Sequence, residues 1–212
     1  MNRRFLNQIV VSLVCGAFGL LALPSLAADE AADGLIKRLS TDVLDHIKAD
    51  KAIQAGDMSR VVALVDSKIM PNVNFQRMTA AAVGPGWRQA TPEQQKRLQE
   101  EFKTLLVRTY AGALAQVSDQ VIAVKPLRAG TEDTEVVVRT EVKGRGDTIQ
   151  LDYRLEKTPG QGAGWKIYNL NVLGVWLVET YKSQFAQEIN AKGIDGLIAT
   201  LTDRNKLNAK KG

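Results

Sequence analysis

Residues 149–173 read IQLDYRLEKTPGQGAGWKIYNLNVL, and their pattern decides the fold. Ile149, Leu151, Tyr153 and Leu155 alternate with Gln150, Asp152, Arg154 and Glu156, the two-residue period of a strand with one apolar and one polar face. Pro159, Gly160, Gln161 and Gly162 then turn the chain into a second apolar strand over 165–173. A connection this short makes the two strands antiparallel.

Working upstream, 135–142 alternates in the same way and reaches 149 through Gly144-Arg145-Gly146-Asp147, while 121–127 adds one more strand. The expectation is a twisted antiparallel sheet of about four strands, whose apolar face needs helices to cover it. Helical spacing supplies them. Thr91, Pro92 and Gln94 form a helix start with a capping box, and the helix carries Leu98, Phe102, Leu105, Leu106, Tyr110, Ala113, Leu114 and Val117 on one stripe to residue 117. Leu35, Ile36, Leu39, Val43, Leu44 and Ile47 mark an amphipathic helix over 31–48. Gly56-Asp57 gives a break and an N-cap, and 58–69 reads as a second helix stopped by Pro71. Residues 73–78 are short and apolar in alternate places, and 83–87 is a turn carrying Trp87. After Gly174 the pattern returns to helices over 175–191 and 194–206. The fold class is α+β, with no internal repeat and no linker that divides the chain.

The N-terminus names a compartment. Arg3 and Arg4 precede an uncharged apolar run over 9–23, and Pro24-Ser25-Leu26-Ala27 places small residues before a cut after Ala27. Residues 1–27 read as a secretory signal peptide, and 28–212 as one domain of about 185 residues, enough for a sizeable core. The apolar run is short for an uncleaved anchor. Cys15, the only cysteine, leaves with the leader, so no disulfide and no thiolate metal ligand remains. The net charge of +5 includes the two leader arginines, so the mature domain is only mildly basic and lacks a nucleic-acid footprint.

Catalytic residue types are sparse. The one histidine, His46, lies in the first helix beside Lys48 and Asp50, which denies a triad its base and excludes an imidazole metal cluster. Glu100-Glu101 and Glu132-Asp133 read as solvated charges, and Asp152 with Glu156 shares the polar strand face. Gly84-Pro85-Gly86 and Gly144-Arg145-Gly146 lack the strand, loop and helix context of a phosphate cradle. What remains is apolar shape, and periodicity does not separate a filled interior from a hollow one.

An ordered set of residues resembles the MlaC family, also called the toluene-tolerance family. It comprises Asn74-Phe75 with Met78, Gly84 and Trp87, Thr91 with Glu93-Gln94, Phe102 with Leu105-Leu106 and Tyr110, and Trp165-Lys166-Ile167. Leu173-Gly174-Val175, Tyr181, Gln184-Phe185 and Lys192-Gly193-Ile194-Asp195-Gly196-Leu197 complete it. Asn169 and Trp176 depart from it, where an acidic residue and a serine are common in the family.

The resemblance implies an NTF2-like cone with an apolar cavity and a monomeric periplasmic carrier of phospholipid. Such a carrier passes diacyl lipids between an outer-membrane lipoprotein complex and an inner-membrane complex of an MCE-domain protein and an ABC transporter, maintaining outer-membrane lipid asymmetry. It needs no cofactor, no metal and no catalytic residue. By correspondence the lipid wall falls on Phe75, Met78, Phe102, Leu106, Tyr110, Val138, Leu151, Leu155, Leu170, Val172, Val175 and Trp176. Two other readings stand beside it: a periplasmic NTF2-like enzyme using Asp152, Glu156 or Tyr153 as acid or base, and an adaptor with a solid core.

Overall fold

The computed structural model describes residues 30–209 apart from 131 and 147, and the expected leader lies outside them. Helices come first: α1 (Ala32–Ala49), α2 (Lys51–Gln54), α3 (Met58–Leu64), α4 (Phe75–Val83) and α5 (Pro92–Ala115). Strands β1 (Val121–Val124), β2 (Glu135–Lys143), β3 (Ile149–Lys157), β4 (Trp165–Val172) and β5 (Val175–Trp176) follow, then α6 (Leu177–Ala209). The sheet is antiparallel throughout, in the order β1-β2-β3-β4-β5.

The α+β architecture is as the alternation implies, and four local readings change. First, 58–69 is α3 followed by a π-helical turn, Val65–Ile69, before the 3-10 turn holding Pro71. Second, most of 73–78, apolar in alternate places, belongs to a helix. Val73 makes one parallel bridge to Ile167, and α4 then begins because the Asn74 side chain accepts the Arg77 N–H at 2.9 Å. Third, β1 ends at Val124, just before Pro126, which has no N–H to give a ladder. Fourth, the chain does not go straight from β4 into a helix. Leu173 and Gly174 both have positive φ, 54° and 86°, and this two-residue turn brings β5 back against β4. The two C-terminal helices are separate as read, as the halves of α6 broken at Gly193 (φ 71°, ψ −173°). The capping box of α5 forms as read: Thr91 N–H donates to Gln94 Oε1 at 2.9 Å and Gln94 N–H to Thr91 Oγ1 at 3.2 Å.

A bulge sets the faces of β4. Leu155 pairs with Ile167 but Arg154 pairs with Asn169, so Tyr168 is the extra residue. As a result Trp165, Ile167, Leu170 and Val172 share the face of Leu151, Tyr153 and Leu155. On this face Ala32, Leu35, Ile36 and Leu39 of α1 close a core with Val136, Val138, Tyr153, Leu155, Trp165 and Ile167. A second core lies among α4, α5 and α6, where the Phe102 ring meets Tyr181 at 4.9 Å and Phe185 at 5.2 Å, both edge to face. A smaller third core joins α1, α2, α3 and α5 through Ile47, Ile53, Val61, Leu64 and Ala111.

Candidate functional site

The first two cores meet along a seam. Leu170 packs against both of them, and it is only partly buried. Other large apolar side chains that pack against one of these cores are also incompletely covered: Phe75 on α4, Leu106 and Tyr110 on α5 and Val172 on β4 against one, Leu151 on β3 against the other. Each element reaches the seam for a local reason. The Asn74 cap starts α4 one residue before Phe75, the stripe of α5 repeats every three to four residues, and the bulge turns Leu170 and Val172 inward. These six are aliphatic or aromatic, and none carries a charge. Tyr110 carries the one phenol among them, which burial pushes above its ordinary pKa.

The other six expected residues differ in their surroundings. Val138 and Leu155 are 0% exposed and packed under α1, and Phe102 and Met78 are buried among α4, α5 and α6. These four are solid core. Val175 pairs with Val172 and so faces the seam side, but it is 51% exposed at the sheet edge. Trp176 is the clear correction. It pairs with Asn171, on the face opposite Val172, and its ring lies under the Arg154 guanidinium at 4.0 Å. It therefore does not fill the seam; the turn at Leu173-Gly174 puts it on the outer face.

That outer face holds two charged clusters, neither legible from sequence beyond the polar alternation of β3. In one, Arg77 of α4 ion-pairs with Glu135 at 2.6 Å and with Glu156, and lies over the Tyr168 ring at 3.7 Å. The Arg77 hydrogen bond, aided by that of the Tyr168 hydroxyl, holds the Glu135 carboxyl below its ordinary pKa. In the other, Arg154 pairs with Glu179 of α6, while Asn169 Nδ2 donates to Glu179 Oε2 at 2.8 Å and Asn169 Oδ1 accepts the Val178 N–H at 3.1 Å. Burial pushes the Glu179 carboxyl up, but the bonds from Asn169 and Arg154 outweigh it and the net shift is downward.

The acid and base candidates do not converge. Tyr153 lies on the α1 side, where burial pushes its phenol up to about 12 against hydrogen bonds with Ser40 and Thr140. Asp152 faces the other side, with Gln150 donating to it at 2.7 Å, and Glu156 is held by Arg77 and Asn74. Two surface clefts lie apart from the seam. One, about 880 Å³, runs between α1 and α3 past His46, Ile53, Arg60 and Leu64; the other, about 440 Å³, lies beside β2 past Arg128, Val137 and Arg139. None of the twelve expected wall residues lines either. Among the described residues no group of three or more His, Cys, Asp or Glu side chains could hold a metal ion, and no helix is long and apolar enough to cross a membrane.

The chain is similar to known proteins. The chain superimposes with a TM-score of 0.81 on the phospholipid-binding protein from Ralstonia solanacearum, solved in complex with a phospholipid. The two are 49% identical, and the match covers 84% of this chain and 98% of that one. It is 27% identical over 178 residues to the toluene tolerance protein ttg2D of Pseudomonas putida, covering 83% of this chain and 81% of that protein. It is 21% identical over 193 residues to the intermembrane phospholipid transport system binding protein MlaC of Haemophilus influenzae, covering 91% and 89%. The MlaC protein family model matches residues 37–203, nearly the whole described domain. The chain belongs to the MlaC family.

Proposed function

We propose that this protein is a periplasmic phospholipid carrier and that the seam around Leu170 receives the acyl chains. The observation that carries this reading is the likeness over nearly all its length to a structure holding a phospholipid, in a chain whose own uncovered apolar side chains gather between two cores. The physical chemistry fits. Each methylene withdrawn from water contributes about 0.8 kcal/mol, so two acyl chains are held without any specific polar contact, and the head group stays in water at the rim. The protein makes and breaks no bonds; it shields tails in transit and gives them up when a partner offers a competing apolar path.

In this reading residues 1–27 direct export, 28–212 form the carrier domain, and the carrier works as a monomer. Its partners are an outer-membrane lipoprotein complex and an inner-membrane MCE-domain protein with its ABC transporter, and its transfers maintain outer-membrane lipid asymmetry. Native mass spectrometry of protein exported to the periplasm tests the reading. The expected spectrum contains the mature chain plus the mass of a phospholipid. Repeated lipid-free preparations that also take up no lipid from vesicles would overturn it.

A further inference from the structure

Strand β5 is two residues long, and its two side chains do different things. Val175 stands opposite Val172 at the edge of the seam, half exposed. Trp176, the next residue, points to the outer face, where the Arg154 guanidinium carbon lies 4.0 Å from its ring centre. So short a strand gains little from its own ladder with β4. The turn before it is not relaxed either, since Leu173 takes φ 54° with a side chain 65% exposed. What fixes β5 in place lies behind it.

That support is continuous. Arg154 stacks on Trp176 and ion-pairs with Glu179; Glu179 accepts from Asn169 at 2.8 Å; Asn169 sits opposite Arg154 on β4 and accepts the Val178 N–H at 3.1 Å. Two residues on, Asn171 Oδ1 accepts the Gly174 N–H at 2.8 Å and so anchors the turn itself. Inside the first turn of α6, Thr180 Oγ1 donates to the Trp176 carbonyl at 3.0 Å. These contacts tie β3, β4, β5 and the start of α6 into one unit on the face of the sheet opposite Leu170 and Val172.

We infer that Trp176, Arg154 and Glu179 form a pin that holds β5 as a lip over the seam, and that this pin sets the rate at which a bound lipid leaves. The inference rests on the carrier reading above. Arg154 and Trp176 are positioning residues, acting through Val175 and the lip. The strength of the pin suits a part that must yield: a partly exposed cation over an indole and a partly exposed ion pair are each weak. The ion pair is also screened by salt, so release from the native protein accelerates as ionic strength rises.

The test uses the mature protein loaded with a fluorescent phospholipid and follows its transfer to uncharged phosphatidylcholine vesicles. Trp176→Ser and Arg154→Met are expected to speed release roughly three- to tenfold and to flatten its salt dependence. Trp176→Phe, which keeps a ring under the guanidinium, stays close to the native rate. Arg60→Met, which breaks the ion pair between Arg60 and Asp50 elsewhere on the surface, leaves the rate unchanged and controls for a general loss of stability. Loaded Trp176→Ser and Arg154→Met proteins that release lipid at the native rate, or a Phe variant as fast as the Ser variant, would overturn the pin alone. A native protein that never loads lipid would overturn the carrier reading and the pin with it.

Discussion

A side-chain carbon placed on Gly196 would lie 2.1 Å from the Cβ of Lys192. The contact arises because α6 bends at Gly193, whose φ of 71° and ψ of −173° belong to a region open essentially to glycine alone. The bend also lets Ile189 and Ile194, on either side of it, pack against Gly86, where an added Cβ would stand 3.2 and 3.0 Å from their Cδ1 atoms.

The elbow therefore demands glycine at both positions. Gly193→Ala and Gly196→Ala should each destabilise the fold by about 1–3 kcal/mol. Gly112→Ala, at an open position on α5, should instead stabilise it by about 0.5–1 kcal/mol. Thermal unfolding of the three variants checks the order. Equal midpoints for the Gly196 and Gly112 variants would refute the steric account.

Asn169 serves three partners with one buried side chain: the Leu170 and Val178 N–H groups and the Glu179 carboxylate. Asn169→Ala strips the start of α6 of an acceptor and should cost about 1–3 kcal/mol. Urea unfolding measures it, and a loss below about 0.5 kcal/mol would mean that water replaces all three contacts.

Acid should loosen the outer face before the cores. The folded protein holds the Glu135 and Glu179 carboxyls below their ordinary values, so it binds fewer protons there than the unfolded chain does. Their contribution is fully present above the unfolded carboxyl pKa, 4.5 for Glu, and is lost as pH falls through the depressed folded values. Arg77→Met removes the largest cause of the shift at Glu135. Its stability should consequently fall less between pH 7 and pH 3.5 than that of the native protein in the same urea titrations, and an equal fall would contradict the assignment.

Val172 and Val175 are cross-strand partners with different surroundings, one half-buried and one half-exposed. Val172→Glu should lower stability by about 2 kcal/mol and empty the protein of lipid, because a carboxylate forced into an apolar wall has nothing to pair with. Val175→Glu should change stability by only about 0.5 kcal/mol. Unfolding midpoints combined with phosphorus analysis of the purified proteins distinguish them; lipid retained by the folded Val172 variant would remove that residue from the wall.

Local chemistry made much of this fold legible. The capping box at Thr91 and Gln94 and the clean alternation from Ile149 to Glu156 read directly, because each depends on neighbours a few residues away. The bulge at Tyr168 did not read, since an extra tyrosine between Ile167 and Asn169 leaves the composition of the strand unchanged. Nor did the turn at Leu173-Gly174, where leucine stands in a left-handed position that asparagine or glycine usually marks. That one turn decides the side of the sheet on which Trp176 lies. Of the twelve residues that family resemblance named, Phe75, Leu106, Tyr110, Leu151, Leu170 and Val172 are partly buried beside the cores, and the other six are core, rim or outer face. Exposure separates core from rim and strand pairing sets Trp176 apart, and both depend on contacts that the local sequence does not show.

The central claim is that acyl chains occupy the seam between the two cores, and photocrosslinking tests it most directly. The protein would be loaded with a phospholipid bearing a diazirine near the end of one tail, irradiated and digested, and the adducts mapped by mass spectrometry. The account predicts adducts on Leu106 or Tyr110 of α5 and on Leu170 or Val172 of β4. Adducts confined to the α1–α3 cleft around His46, Ile53 and Leu64, with the seam unlabelled, would contradict it.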